Sequence, residues 1–129
     1  MCPSEKPEHY FTSKHKSEID IRKHIEFIRG QTLTFYTSSS VFSAEGLDEG
    51  TRVLIDNMIL PTQGHILDLG AGYGPVSLWL TKEFQDQNQL KPQEIEIPHI
   101  YASEINDRAL WVLNKNLTEN KCKDVTILK

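Results

Sequence analysis

Apolar residues along this chain fall into short runs whose spacing switches between two and three-to-four. Ile19, Ile21, Ile25, Phe27 and Ile28 precede Gly30-Gln31, after which come Leu33, Phe35 and Tyr36. Ile21, Ile25 and Ile28 fit a helical stripe, whereas Ile25/Phe27 and Leu33/Phe35 alternate as on strands. The β-branched and aromatic enrichment on either side favours a hairpin with a two-residue turn at Gly30-Gln31. Ser38-Ser39-Ser40 breaks the second strand, and Val41-Phe42-Ser43 continues it or opens a loop. Residues 1–17 are polar, with interspersed Pro and His, and read as an arm ahead of a single domain at 18–129.

The remainder alternates strands and helices. Asp48 to Asn57 reads as a helix capped by Asp48, with Val53, Leu54 and Met58 on its buried stripe. Pro61-Thr62-Gln63-Gly64 is a turn, and His65-Ile66-Leu67-Asp68-Leu69 a short strand. Gly70-Ala71-Gly72-Tyr73-Gly74 leads into a helix from Pro75 to Phe84, with proline in the first turn, where a missing N–H is harmless. Val76, Leu78, Trp79 and Leu80 supply its buried side. Gln85 to Pro98 is polar and predicts an extended surface loop. Ile100-Tyr101-Ala102-Ser103 is a second strand ending at Glu104. A helix from Asn106 to Asn116 follows, burying Ala109, Leu110, Val112 and Leu113, and Val125-Thr126-Ile127-Leu128 is a third strand. That order predicts an α/β fold with a parallel sheet behind an amino-terminal β-hairpin.

Composition narrows the class. With 129 residues, 38% of them hydrophobic, the chain suffices for one core. No apolar run nears the ~20 residues that span a bilayer. The first eight residues lack the basic and apolar regions of a signal peptide. Cys2 and Cys122 make no disulfide framework, so a reducing cytoplasm without membrane attachment is the expectation. The formal charge is −4. Residues 1–30 hold six basic against five acidic groups and the remainder eight against thirteen. That is not the footprint of a stand-alone nucleic-acid binder. His9, His15 and His24 match no metal-ligand spacing, so no metal is expected. Asn116-Leu117-Thr118 matches a glycosylation sequon, which is idle in the cytoplasm.

The glycine-rich turn carries the chemistry. After a parallel strand, such a turn lets backbone approach a ligand lying beyond the strand's carboxyl end, where a helix also aims free N–H groups. The spacing Gly70-x-Gly72-x-Gly74 is not the dinucleotide pattern, and the lysine of a mononucleotide phosphate loop is absent. Asp68, two residues before the first glycine, repels phosphates and suits a cationic ligand with an amino group. Glu104, at the tip of the next strand, is placed to accept hydrogen bonds from ribose hydroxyls. Ribose, amino group and positive charge without phosphate describe S-adenosylmethionine. A nicotinamide-dependent oxidoreductase is the reading these two features disfavour.

Ile66-Leu67-Asp68-Leu69-Gly70-Ala71-Gly72-Tyr73-Gly74 with Ala102-Ser103-Glu104-Ile105-Asn106-Asp107-Arg108-Ala109-Leu110 resembles the first two motifs of class I S-adenosylmethionine-dependent methyltransferases. Val41-Phe42-Ser43 and Asp48-x-Gly50-Thr51 narrow the resemblance to the small-domain family, which includes ribosomal-RNA guanine methyltransferases. It runs from about His9 to Lys129. It implies a Rossmann-like fold, with 18–129 as the amino-terminal part of the methyltransferase domain. It also implies cofactor-binding roles for Asp68, Gly70, Ala71, Gly72, Glu104, Ile105, Asn106 and Thr51. In those roles Asp68 orders the methionine amino group, directly or through water. Gly70 and Gly72 line methionine and ribose, Glu104 holds the ribose hydroxyls, Ile105 and Asn106 flank adenine, and Thr51 meets the methionyl end. Phe42 walls the pocket or belongs to the core, and Tyr73 faces cofactor or solvent.

The family's sheet has seven strands with the first in the middle, and an Asn-Pro-Pro-aromatic motif after the fourth grips the acceptor amine. That motif does not occur in these 129 residues, and no catalytic residue is assigned. Glu104 also lies thirty residues past Gly74, against about twenty in dinucleotide folds. The expectation is the donor half of an enzyme that methylates an RNA base amine, as a split subunit or a truncated domain. The alternative is a non-catalytic cofactor-binding or scaffold subunit needing a partner chain. The edge of the first strand, Ile66–Leu69, is expected to be covered by a second chain, by self-association or by a rearranged fold.

Overall fold

A computed structural model describes residues 20–39, 45–92 and 96–129 of the chain. The arm at 1–17, Val41-Phe42-Ser43 and the role of Phe42 lie outside them. Two antiparallel strands, β1 (Ile21–Ile28) and β2 (Gln31–Ser38), come first. Helix α1 (Glu49–Asn57), strand β3 (His65–Leu69), helix α2 (Pro75–Leu90), strand β4 (His99–Ser103), helix α3 (Asp107–Glu119) and strand β5 (Val125–Leu128) follow. β3, β4 and β5 form a parallel sheet in that order. The α/β class and the leading hairpin match the expectation. Among the described residues, β3 has a neighbour on one side only.

The hairpin turn is Arg29-Gly30, not Gly30-Gln31, because Ile28 pairs with Gln31 across the last rung. Both turn residues have positive φ, 43° and 82°, the geometry whose twist matches that of the flanking strands. The displacement gives Arg29 a second task. Its guanidinium donates to the carbonyls of Ile55 and Met58, at 2.7 and 2.8 Å, and lies over the Trp79 ring. It thereby satisfies carbonyls that the carboxyl end of α1 leaves open. Trp79 in turn donates its indole N–H to the carbonyl of Ile28.

Asp48 caps α1 as expected, but the buried stripe differs. Val53 and Leu54 are about half exposed, and Ile55, fully buried, is the anchor. Helix α2 runs six residues past Phe84, through Gln85 to Leu90, where a loop was expected. Polarity misled there: those residues carry neither Pro nor Gly, and glutamine and leucine are good helix formers. The helix stops at Leu90 because Lys91 precedes Pro92 and is pushed out of the helical region, to φ −139°. Helix α3 likewise continues past Asn116 to Glu119, and β4 begins one residue early, at His99.

One core joins these pieces. Leu33 and Phe35 of β2, Leu78, Trp79 and Phe84 of α2, Val112 and Leu113 of α3, and Ile100 and Ala102 of β4 are all buried in it. Among the described residues, the opposite face of the parallel sheet is open. His65, Leu67 and Leu69 stand there beside His99, Tyr101 and Ser103, with Thr126 and Leu128 in the third column. Among the described residues no helix is long and apolar enough to cross a membrane.

Candidate functional site

The turn between β3 and α2 must reverse the chain within five residues, and its backbone shows how. Gly70, Gly72 and Gly74 have φ of 69°, 62° and 94°, values that side chains disfavour. A Cβ at Gly72 would meet nothing within 4 Å, so this glycine faces open space. At Gly74 a Cβ would sit 2.6 Å from a methyl of buried Leu113, so α3 packs directly on the backbone where α2 begins.

Glu104 holds this turn from the end of β4. Its Oε1 accepts the N–H of Gly72 at 2.9 Å, and its Oε2 accepts those of Ile105 and Asn106 at 3.1 and 2.9 Å. The N–H of Ala71 donates to the carbonyl of Ser103. The carboxylate is thus fixed by three donors while lone pairs remain. From the other side Tyr73, 3% exposed, stacks on Phe35 at 5.2 Å and donates its hydroxyl to the carbonyl of Gly46. Of the two surroundings left open for it, Tyr73 takes a buried one at the cavity wall. Asn116 completes the support. Its Nδ2 donates to the carbonyls of Tyr73 and Tyr36, and its Oδ1 accepts the N–H of Tyr36. With 0% exposure it is no glycosylation acceptor.

These elements enclose a cavity of about 280 Å³ beyond the carboxyl ends of β3 and β4, at the small end of the range of small-molecule sites. Asp48, Thr51, Gly70, Ala71, Gly72, Tyr73, Pro75, Glu104, Asn106 and Ala109 line it. Six of the eight sequence-derived site residues therefore meet on one wall. Ile105 is outside the lining and 78% exposed. Asp68 is also outside. It faces the side of β3 that carries Ile66, accepts the Ser77 hydroxyl at 2.7 Å, and borders a neighbouring groove with Leu54, Ile66, Leu69 and Val76. Burial pushes its carboxyl above the usual range. Hydrogen bonds from Ser77 oppose that shift, and the charge of Glu104 adds to it.

Sequence reasoning missed three contributors. Asp48 was read as a helix cap and as part of the Asp48-x-Gly50-Thr51 signature but not as a site residue, although it stands three residues from Thr51. Ser77 sits one turn into α2, where serine gives no signal. Asn116 looks in sequence like any helical asparagine, and its role exists only once β2 and the glycine turn lie beside α3.

Among the described residues, the wall carries two acids and no basic side chain, with backbone exposed at the glycines. Such a site suits a ligand with hydroxyls and positive charge, as S-adenosylmethionine has, and not a phosphate.

Comparisons with known proteins agree with this geometry. Residues 32–129 match the family model of the methyltransferase small domain. An uncharacterized protein of Bacillus subtilis, YbxB, is 33% identical over 93% of this chain and 55% of its own length. A ribosomal RNA small subunit methyltransferase C of Actinobacillus succinogenes is 28% identical over 88% of this chain and 32% of its own. Among solved structures, a T. thermophilus 16S rRNA N2 methyltransferase in complex with AdoMet and guanosine superposes with a TM-score of 0.63. The two are 25% identical, over 84% of this chain and 27% of that one. The chain thus spans about half the length of the first relative and about a third of the second.

Proposed function

Because this chain belongs to the methyltransferase small-domain family, we propose that it is the S-adenosylmethionine-binding part of a methyltransferase whose acceptor is an RNA base amine. The observation that carries the reading is the cavity beside Glu104, where a fixed carboxylate and the glycine backbone share one wall. Gly70, Ala71 and Gly72 line the methionine and ribose, Glu104 accepts the ribose hydroxyls, and Ile105 and Asn106 flank the adenine. Thr51 meets the methionyl end, and Asp68 acts on the amino group from behind the turn, directly or through a bridging water. When bound, the cofactor supplies a methyl group on a sulfonium, and attack on it rests on alignment more than on a strong base. This chain's own residues hold and orient the donor. No residue here is assigned to grip the acceptor. An RNA acceptor is favoured by the ribosomal-RNA methyltransferases among the relatives.

Calorimetric titration with S-adenosylmethionine tests the donor site. Wild type should bind saturably, and Asp68→Ala and Glu104→Ala should each lose binding while remaining folded. Wild-type protein that is well folded and binds nothing would overturn the reading.

A second reading, a non-catalytic cofactor-binding or scaffold subunit, is favoured by the open sheet face and the one-sided β3, which invite a partner chain or self-association. Supplying a polypeptide with the rest of the methyltransferase sheet separates the two. Methyl transfer to RNA in the mixture supports the enzyme, and cofactor binding without transfer supports the scaffold.

A further inference from the structure

Two helices contribute to the cavity wall, each through its amino-terminal turn. Helix α1 brings Asp48 and Thr51, and α2 brings Pro75 directly behind the glycine turn. Whatever ties the remainder of the two helices together therefore sets the gap between their first turns. α1 is poorly equipped to hold itself in place. It has nine residues, Ile55 is its one buried residue, and its last turn carries no basic side chain. A helix this short depends on tertiary contacts for its stability.

The grip comes from the hairpin. The Arg29 guanidinium donates through Nη1 to the carbonyls of Ile55 and Met58, at 2.7 and 2.8 Å. Its charge sits at the negative end of the α1 dipole. The same group lies 5.2 Å over the ring of Trp79 in α2. The Trp79 indole N–H is itself fixed on the carbonyl of Ile28, one residue before Arg29. One side chain thus touches both helices. A second link runs beside it, where Arg52 of α1 pairs with Glu26 of β1 at 2.9 Å and donates to the carbonyl of Phe27. The backbone at Arg29 holds a φ of 43°, which glycine or asparagine adopts with less strain. The guanidinium is what this position gains from an arginine.

We infer that Arg29 is a positioning residue for the cofactor: by clamping the carboxyl end of α1 onto Trp79, it sets the separation between the Thr51 wall and the glycine turn, and so the affinity for a ligand that spans both. The inference rests on the function proposed above, in which Thr51 meets the methionyl end and Glu104 the ribose. Arg29 does not line the cavity and acts through α1. A ligand confined to the Glu104 side is indifferent to it.

Arg29→Met keeps an unbranched side chain beside Trp79 and removes both donated bonds, whereas Arg29→Lys keeps the charge without the planar fork. The full chain and both variants are titrated with S-adenosylmethionine, S-adenosylhomocysteine and adenosine, below the thermal midpoint of each protein. Adenosine lacks the methionyl end and reaches only the Glu104 wall. The expected result for Arg29→Met is about tenfold weaker binding of the two longer ligands, with adenosine affinity unchanged. Arg29→Lys should show the same selectivity with a smaller loss, and it carries the comparison should Arg29→Met not fold. Ile100→Val, a core substitution in β4, lowers stability by leaving a small cavity and should keep the wild-type ratio between the ligands. An equal loss for all three ligands in the Arg29 variants, or no loss, overturns the assignment. So does a shifted ratio in Ile100→Val, which would report stability alone. Wild type that does not bind S-adenosylmethionine overturns the underlying function instead.

Discussion

The carboxyl ends of β3 and β4 and the free side of β3 are a few residues apart and are built on opposite terms. At the carboxyl ends the chain satisfies itself. Glu104 takes three N–H groups, Asn116 binds the loop carbonyl of Tyr73, and Tyr73 reaches Gly46. Along β3 apolar surface stays in the open instead, with Leu67 56% and Leu69 77% exposed, and Ile59, bordering the same groove, 95%. Exposed apolar strands beside an unpaired edge mark places where further chain docks. The contrast teaches that a binding cavity can be completed locally while the sheet beneath it is not, because the cavity depends on turns and caps and the sheet on long-range pairing.

The largest effect should come from the self-satisfied region. Asn116→Ala removes one donor and one acceptor group at a position with no exposure, leaving the Tyr36 N–H and the carbonyls of Tyr36 and Tyr73 without that partner. Each buried polar group so orphaned costs ~1–3 kcal/mol, so a total of about 3 kcal/mol is expected in urea unfolding. Cofactor affinity should fall as well, since Tyr73 lies within the glycine turn. A loss below about 1 kcal/mol would show that the turn does not depend on this asparagine.

Asn116 also marks what the sequence could and could not reveal. The strand–turn–helix around Gly70–Gly74 was legible because glycine spacing, an acid before it and a proline after it are local requirements. Thr51, Glu104 and Asn106 were found with it through motifs and lie on the same wall. The turn at Arg29 was misplaced by one residue because positive φ in arginine leaves no compositional trace. α1 was read from its apolar residues, yet Val53 and Leu54 face outward. Which side of a helix is inside depends on the partner, here Trp79 and the Arg29 guanidinium. The position of Asp68 beside Ser77, outside the cavity lining, was beyond any motif, because alternation along a strand says that a residue changes face but not what each face meets.

An intermediate effect is expected where the two regions touch. Asp68 borders the apolar groove and stands close enough to Glu104 to feel its charge. Its carboxyl is raised from 3.8 chiefly by burial, so its charged form burdens the folded state at neutral pH. For an acid raised on folding, stability is greatest below the unfolded value and declines as pH rises through the folded one. Asp68→Asn, whose amide oxygen can still accept from Ser77, should therefore match or exceed wild type in thermal stability at pH 7 while binding the cofactor more weakly. The wild type should regain ground on the variant as pH falls toward 3.8, when Asp68 takes up its proton. A variant clearly less stable at pH 7 would mean that the carboxylate, and not merely an acceptor, is needed beneath the turn.

The smallest effect on the chain itself is expected at the open edge. Leu69 stands on the uncovered face at the end of β3, and Leu69→Lys replaces apolar surface already in water with a charge that edge strands commonly carry. Surface changes of this kind stay within about 0.5 kcal/mol, so the urea midpoint of the isolated chain should barely move. Association should respond strongly. If a strand from another polypeptide adds along β3, a lysine there places an ammonium where the complex would bury it, and charge burial without a partner is costly. Sedimentation of wild type and variant, alone and with a polypeptide carrying the rest of the sheet, reads both quantities. A large destabilisation of the isolated chain would mean that Leu69 is covered from within. Association that survives the substitution would mean that a partner chooses another surface, and the contrast between the carboxyl end of β3 and its free side would lose its functional meaning.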